Sequence, residues 1–118
     1  MRNDRKNIIV GMTTDYALQI IDYTEALESE RKYVLARQIL RSGTSIGANI
    51  REAQNAESKA DFIHKFKIAA KEADEVEYWL ELCGRAKSYP DPDSALIENL
   101  QSIIKIIAKI LSTSKSKF

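Results

Sequence analysis

RSGTSIGANI, residues 41–50, is built from residues that usually make turns, yet the chain on either side of it reads as helix. Two lines of residues cross it at steps of four and three. One is Leu35, Ile39, Ser42, Ile46, Asn49, Ala53 and Ala56; the other is Ala36, Leu40, Gly43, Gly47 and Ile50. A phosphate loop has no reason to keep that phase. Nor are Gly43 and Gly47 followed by the Lys-Ser/Thr pair that contacts phosphate and magnesium, and no strand precedes them. The decapeptide therefore reads as the middle of a helix over about 32–57. Each glycine inside a helix costs about 1 kcal/mol relative to alanine, so two of them one turn apart predict compensation by a closely packed neighbour, either a helix of the same bundle or a second subunit.

Working outward, both prolines, Pro90 and Pro92, fall in one short segment and nothing alternates with a period of two, so the chain reads as all helix. A first helix is expected from Thr14 to Leu27, with Thr14 or Asp15 as N-cap and Ala17, Ile20, Ile21, Thr24 and Leu27 facing inward. Residues 1–12 are then an N-terminal arm. Ser58 and Asp61 predict the capped start of a third helix that ends near Gly84. Its inner line is Phe62, Phe66, Ala69, Ala73, Val76, Leu80 and Cys83. Asp91 as N-cap with Pro92 at the first helical position launches a fourth helix towards Ser112, and 113–118 is expected to fray. That helix presents Leu96, Leu100, Ile103, Ile107 and Ile110, widened by Ile97, Ile104, Ala108 and Leu111. Short links force antiparallel neighbours, so the expected fold is a single all-α domain over 1–118, an antiparallel up-and-down four-helix bundle.

Composition narrows the function. With 118 residues and 44% hydrophobic content, one core can be filled without staples. Lys plus Arg total 18 against 17 for Asp plus Glu, so net charge of +1 offers no general attraction to nucleic acid. The lone Cys83 cannot close an internal disulfide, which favours a reducing cytoplasm. The apolar run Ile8–Met12 is too short for an export signal, and no segment is expected to cross a membrane. Asp61 and His64 have the acid-x-x-His spacing of di-iron bundles, but that chemistry needs two such pairs with further inward glutamates. With one histidine no Ser-His-acid arrangement is supported. The expectation is no catalysis, cofactor, metal or small-molecule substrate.

Asn49 and Ser42 lie among aliphatic residues, where an unpaired buried amide costs about 1–3 kcal/mol. A polar network of Arg41, Ser42, Asn49, Glu52, Glu72 and Glu77 is therefore expected to set helix register. Tyr78 and Trp79 are expected to fill a helix or subunit interface together with Ala36, Leu40, Gly43, Gly47 and Ile50.

YVLARQILRSGTSIGANIREA and DFIHKFKIAAKEADEVEYWLEL resemble the small bundle proteins encoded in intervening sequences of bacterial 23S ribosomal RNA genes. Arg41, Ser42, Ser45, Ile46, Ala48, Asn49 and Glu52 carry the first block; Lys71, Glu72, Ala73, Glu75, Tyr78, Trp79 and Leu80 carry the second. Gly47 stands where many relatives have proline, which favours a straighter helix. The resemblance implies a ring-like homopentamer of four-helix bundles with no enzymatic activity. Similar proteins are accessory factors of diversity-generating retroelements, where a basic pentamer binds nucleic acid and a reverse transcriptase; the near-neutral charge here departs from that type. The leading expectation is a homo-oligomeric scaffold or adaptor for RNA or an RNA-associated protein, with Arg41, Arg51, Lys59, Lys65 and Lys71 as contact residues. The alternative is a regulatory module that binds protein and makes no nucleic-acid contact.

Overall fold

The computed structural model describes residues 7–116, with side chains as far as residue 114. Four helices follow one another: α1 (Ile8–Ser29), α2 (Tyr33–Ala53), α3 (Lys59–Arg85) and α4 (Ser94–Ser116). Contacts run α1–α2, α2–α3, α3–α4 and α4–α1, with none across the diagonals, so the helices stand at the corners of a square. The expected bundle is present. RSGTSIGANI is helical throughout.

Gly43 is buried against α1, where an added Cβ would stand 2.7 Å from Ile20 Cγ1 and 2.8 Å from Ile20 Cγ2. Gly47 lies one turn on, with 3.3 Å from such a Cβ to the backbone oxygen of Thr13. The two glycines let α1 approach α2 more closely than side chains there would permit. The close neighbour on this line is thus a helix of the same chain, and the two-subunit explanation is not needed for it.

Several ends differ from expectation. α1 starts at Ile8, so residues 8–12 belong to the helix and not to an arm; Ile9 and Val10 are buried in the core. Thr13 and Thr14 cap nothing: their hydroxyls donate back to the carbonyls of Ile9 and Val10, both at 2.8 Å. Burial of the apolar turn outweighs the turn-forming tendency of Gly11 and the threonines. On the inner face Ile21 is 38% exposed, and Tyr16 and Tyr23 take core positions instead. Residues 1–6 of the expected arm, and 117–118 of the tail, lie outside the described residues.

α1 closes through Arg31, whose φ of 63° is left-handed. The N–H of Lys32 reaches Leu27 O at 2.9 Å and that of Arg31 reaches Glu28 O at 2.9 Å, a Schellman closure. α2 ends at Ala53, short of the expected Glu57. Ser58 then caps α3 as expected, accepting from the Asp61 N–H at 3.1 Å. α3 runs through Gly84 and stops where Ala86 turns extended. Asp93, not Asp91, caps α4, its carboxylate accepting from the Ala95 N–H at 3.0 Å. Pro92 thus precedes the cap. The helix continues past Ser112, so residues 113–116 are not a frayed tail.

The core is one cluster in which Ile20, Leu27, Ile39, Ile46, Ile50, Phe66, Val76, Leu100, Ile103 and Ile107 are fully buried. Two tyrosines fasten α1 to the far half of the bundle. Tyr16 donates to Leu96 O at 3.0 Å, and Tyr23 donates to Pro90 O at 2.7 Å.

Candidate functional site

Polar chemistry concentrates where α2 and α3 run side by side. Arg41 spans the seam with one guanidinium nitrogen 3.1 Å from Glu72 and the other against Glu75. Glu75 also accepts from the Trp79 indole N–H at 3.2 Å, one helical turn on. Glu75, then Glu72, raise the Arg41 pKa further above its ordinary value. Two turns away Lys65 meets Glu52 at 2.8 Å, which raises the lysine pKa. Because half of the Arg41 side chain is exposed, solvent screens its pairs, and they add little stability.

The expected network forms only in part. Arg41 does join Glu72, but Asn49 donates to Ser45 O at 2.9 Å and Ser42 to Gln38 O at 2.8 Å, each within its own helix. A polar side chain on a helix satisfies itself on the carbonyl four residues back when no partner reaches it. Glu52 pairs with Lys65 rather than with Asn49, and Glu77 is exposed on the α4 side of α3. Glu75 is the member that the sequence reading left out. Its position three residues after Glu72 and four before Trp79 was the available signal.

Among the packing residues, Ala36, Gly43 and Ile50 are buried and Gly47 is half-buried, whereas Leu40 is 40% exposed. Trp79 is half-buried. Tyr78 is 55% exposed, its ring tilted 49° to that of Trp79 at 5.4 Å, so the pair does not act as one interface plug within the chain.

Of the five cations expected to contact RNA, Arg41 and Lys65 are engaged by carboxylates, and Arg51 donates to Thr14 at 3.2 Å. Lys59 is exposed and also has a partner. Lys71 is exposed on α3, on the same outer face as Lys67 and His64. Their spacing of three and four residues makes a short basic stripe that mixed local charge concealed in the sequence.

Cys83 is buried on the inner line of α3, and burial pushes its thiol pKa up, away from nucleophilic use. Burial likewise raises the pKa values of Tyr16 and Tyr23. Among the described residues no group of three or more His, Cys, Asp or Glu stands together to hold a metal ion. No described helix is long and apolar enough to cross a membrane. The surface has shallow clefts instead. One of about 200 Å³ lies between α1 and α4 around Tyr16 and Ile103; another of about 230 Å³ lies between α3 and α4 around Leu80 and Ile97.

This is an all-helical four-helix bundle with one continuous core. The model of the 23S rRNA-intervening sequence protein family matches residues 5–112, and the chain belongs to that family. It is similar to a crystal structure from Bacteroides thetaiotaomicron, described as a protein of unknown function from the S23 ribosomal protein family. The two share 43% identity over 87% of this chain and 97% of the other, with a TM-score of 0.82. No curated protein matches.

Proposed function

We propose that this protein is a non-catalytic scaffold that assembles into a ring of identical bundles, five by the family resemblance, and acts in the cytoplasm as an adaptor for RNA or an RNA-associated protein. The observation that carries the scaffold reading is the distribution of apolar surface. Leu18, Ile21, Leu40 and Ile97 are all at least 38% exposed on a chain whose core is already filled. Surface of that kind marks contact with other macromolecules.

For RNA, the supporting feature is the outer face of α3, where His64, Lys67 and Lys71 are exposed and make no ion pair with a described residue. Repetition around a ring turns three modest contacts per chain into a multivalent surface. Fluorescence anisotropy of a labelled structured RNA tests it. Binding at low salt should weaken as salt rises, and Lys67→Gln with Lys71→Gln should flatten the salt dependence. Absence of binding at low salt would remove RNA as a ligand.

The alternative of a protein-binding module is favoured by a separate observation. Arg41 and Lys65 are occupied by carboxylates, while Tyr78 projects from α3. Pull-down with and without nuclease separates the two readings, because a direct protein partner survives nuclease and an RNA-bridged one does not.

A further inference from the structure

We infer that the outer line of α3 takes a single unpaired RNA strand, with phosphates on Lys67 and Lys71 and a base stacked on Tyr78. This rests on the RNA reading above and names the form of RNA that the surface accepts. His64, Lys67, Lys71, Asp74 and Tyr78 follow one another at steps of three and four, so they form one stripe of the helix, roughly 21 Å from end to end. All five are exposed. At the His64 end a shallow depression of about 350 Å³ is lined by Ala60, Ile63, His64 and Lys67, an apolar floor beside two basic groups. At the other end Tyr78 is 55% exposed, and its ring stands 5.4 Å from that of Trp79. The indole is held by Glu75, and Glu75 by Arg41. A ring braced in this way loses little freedom when a base settles on it, and stacking on an aromatic ring tolerates any base.

Charge decides between one strand and two. The basic stripe is one residue wide. On its α2 side Glu72 and Glu75 share the single Arg41. On its α4 side stand Glu77, which pairs with no described residue, and Glu81, which pairs with Arg85. A duplex laid along α3 sets its second strand against these carboxylates and offers Tyr78 no unstacked base. A single strand follows the stripe alone. Asp74 lies between Lys71 and Tyr78 and repels a phosphate at that step, so the strand meets the tyrosine with a base rather than with its backbone.

Fluorescence anisotropy of the full chain tests this with two probes, a short labelled RNA without secondary structure and the same strand annealed to its complement. At equal salt the single strand should bind on the order of 10-fold more tightly than the duplex, the worth of one base stack. Tyr78→Ala should weaken the single strand by about 5- to 100-fold and leave the duplex unchanged. Its salt dependence should stay that of the wild type, because stacking releases no counterions. Tyr78→Phe keeps the ring and should bind within about 2-fold of the wild type. Trp79 is the only tryptophan, so the single strand should quench its emission in the wild type and in Tyr78→Phe but far less in Tyr78→Ala. Should the alanine variant lose helical content by circular dichroism, Tyr78→Leu, with bulk but no ring, takes its place with the same expected losses. A changed sedimenting mass of the Tyr78 variant assigns the ring to a contact between chains and overturns the proposal. Equal affinity for the two probes, a preference for the duplex, or an alanine variant that binds the single strand as the wild type does overturns it too and leaves the RNA reading standing; the last is the result if Tyr78 serves a protein partner. A wild-type chain that binds neither probe at low salt removes the RNA reading, and the strand preference with it.

Discussion

The α1–α2 seam and the seams around α4 solve the same packing problem with different residues. At the first, Gly43 and Gly47 remove side chains from the contact and α1 settles against the α2 backbone. At the second, Leu96, Leu100, Ile103 and Ile107 meet their neighbours with bulky side chains, and clefts remain on both flanks of the helix. Interaxial distance follows the side chains at the contact. Small residues produce a tight, specific seam; large ones bury more area and leave grooves for something else to occupy.

The largest expected effect that tests this contrast is at Ile20, the side chain held against Gly43. Ile20→Ala should cost about 2–5 kcal/mol in urea unfolding, because a close-packed seam cannot collapse to fill the space. The α4-side surface substitution Ile97→Ala should change monomer stability by less than about 1 kcal/mol. Equal losses at the two sites would end the distinction.

Gly43→Ala sharpens it. Overpacking against the branched carbons of Ile20 costs about 1–3 kcal/mol, against which the gain in helix propensity returns about 1 kcal/mol. A net loss on the order of 1 kcal/mol is expected, and it should vanish in the Ile20→Ala background. Additive losses in that double-mutant cycle would show that the two residues are not in contact.

The tyrosines hold α1 to the other seam by hydrogen bonds rather than by close approach. Tyr16→Phe and Tyr23→Phe should each cost about 0.5–1.5 kcal/mol. Both phenols have folded-state pKa values raised by burial above the ordinary value of 10.0. Only the unfolded chain then ionises first as pH rises, so their contribution is intact below about pH 10 and declines above it. Alkaline melts of the double Phe variant should therefore fall less steeply than those of the wild type. Gly47→Ala should be smallest, within about 0.5 kcal/mol, since a tight 3.3 Å contact with the Thr13 oxygen and the propensity gain nearly offset each other.

The sequence reading went furthest where periodicity was long and failed where a single local cue stood alone. The inner line of α3 is legible almost throughout: Phe66, Ala69, Ala73, Val76, Leu80 and Cys83 are all buried, and its first member, Phe62, is half-buried against them. The start of α1 was not, because Thr14 and Asp15 resemble an N-cap until Ile9 and Val10 have a core to enter. Asp91 and Asp93 both precede an apolar helix, and only the geometry of the connection selects the second. Asn49 illustrates the same limit within the candidate site. Its need for a partner was readable, but a carbonyl one turn back is invisible to an argument that looks across the seam.

By itself the amino-acid sequence determined four amphipathic helices, their antiparallel order and the presence of a close neighbour at Gly43 and Gly47, because these follow from spacing along one chain. Tertiary structure alone decided that this neighbour is α1, that Arg41 reaches Glu75 as well as Glu72, and that Leu40, Ile21 and Ile97 face outward. A helical stripe specifies a direction, but how much of its width is covered depends on the distance and tilt of the helix opposite, and those are set by all the side chains at the contact together.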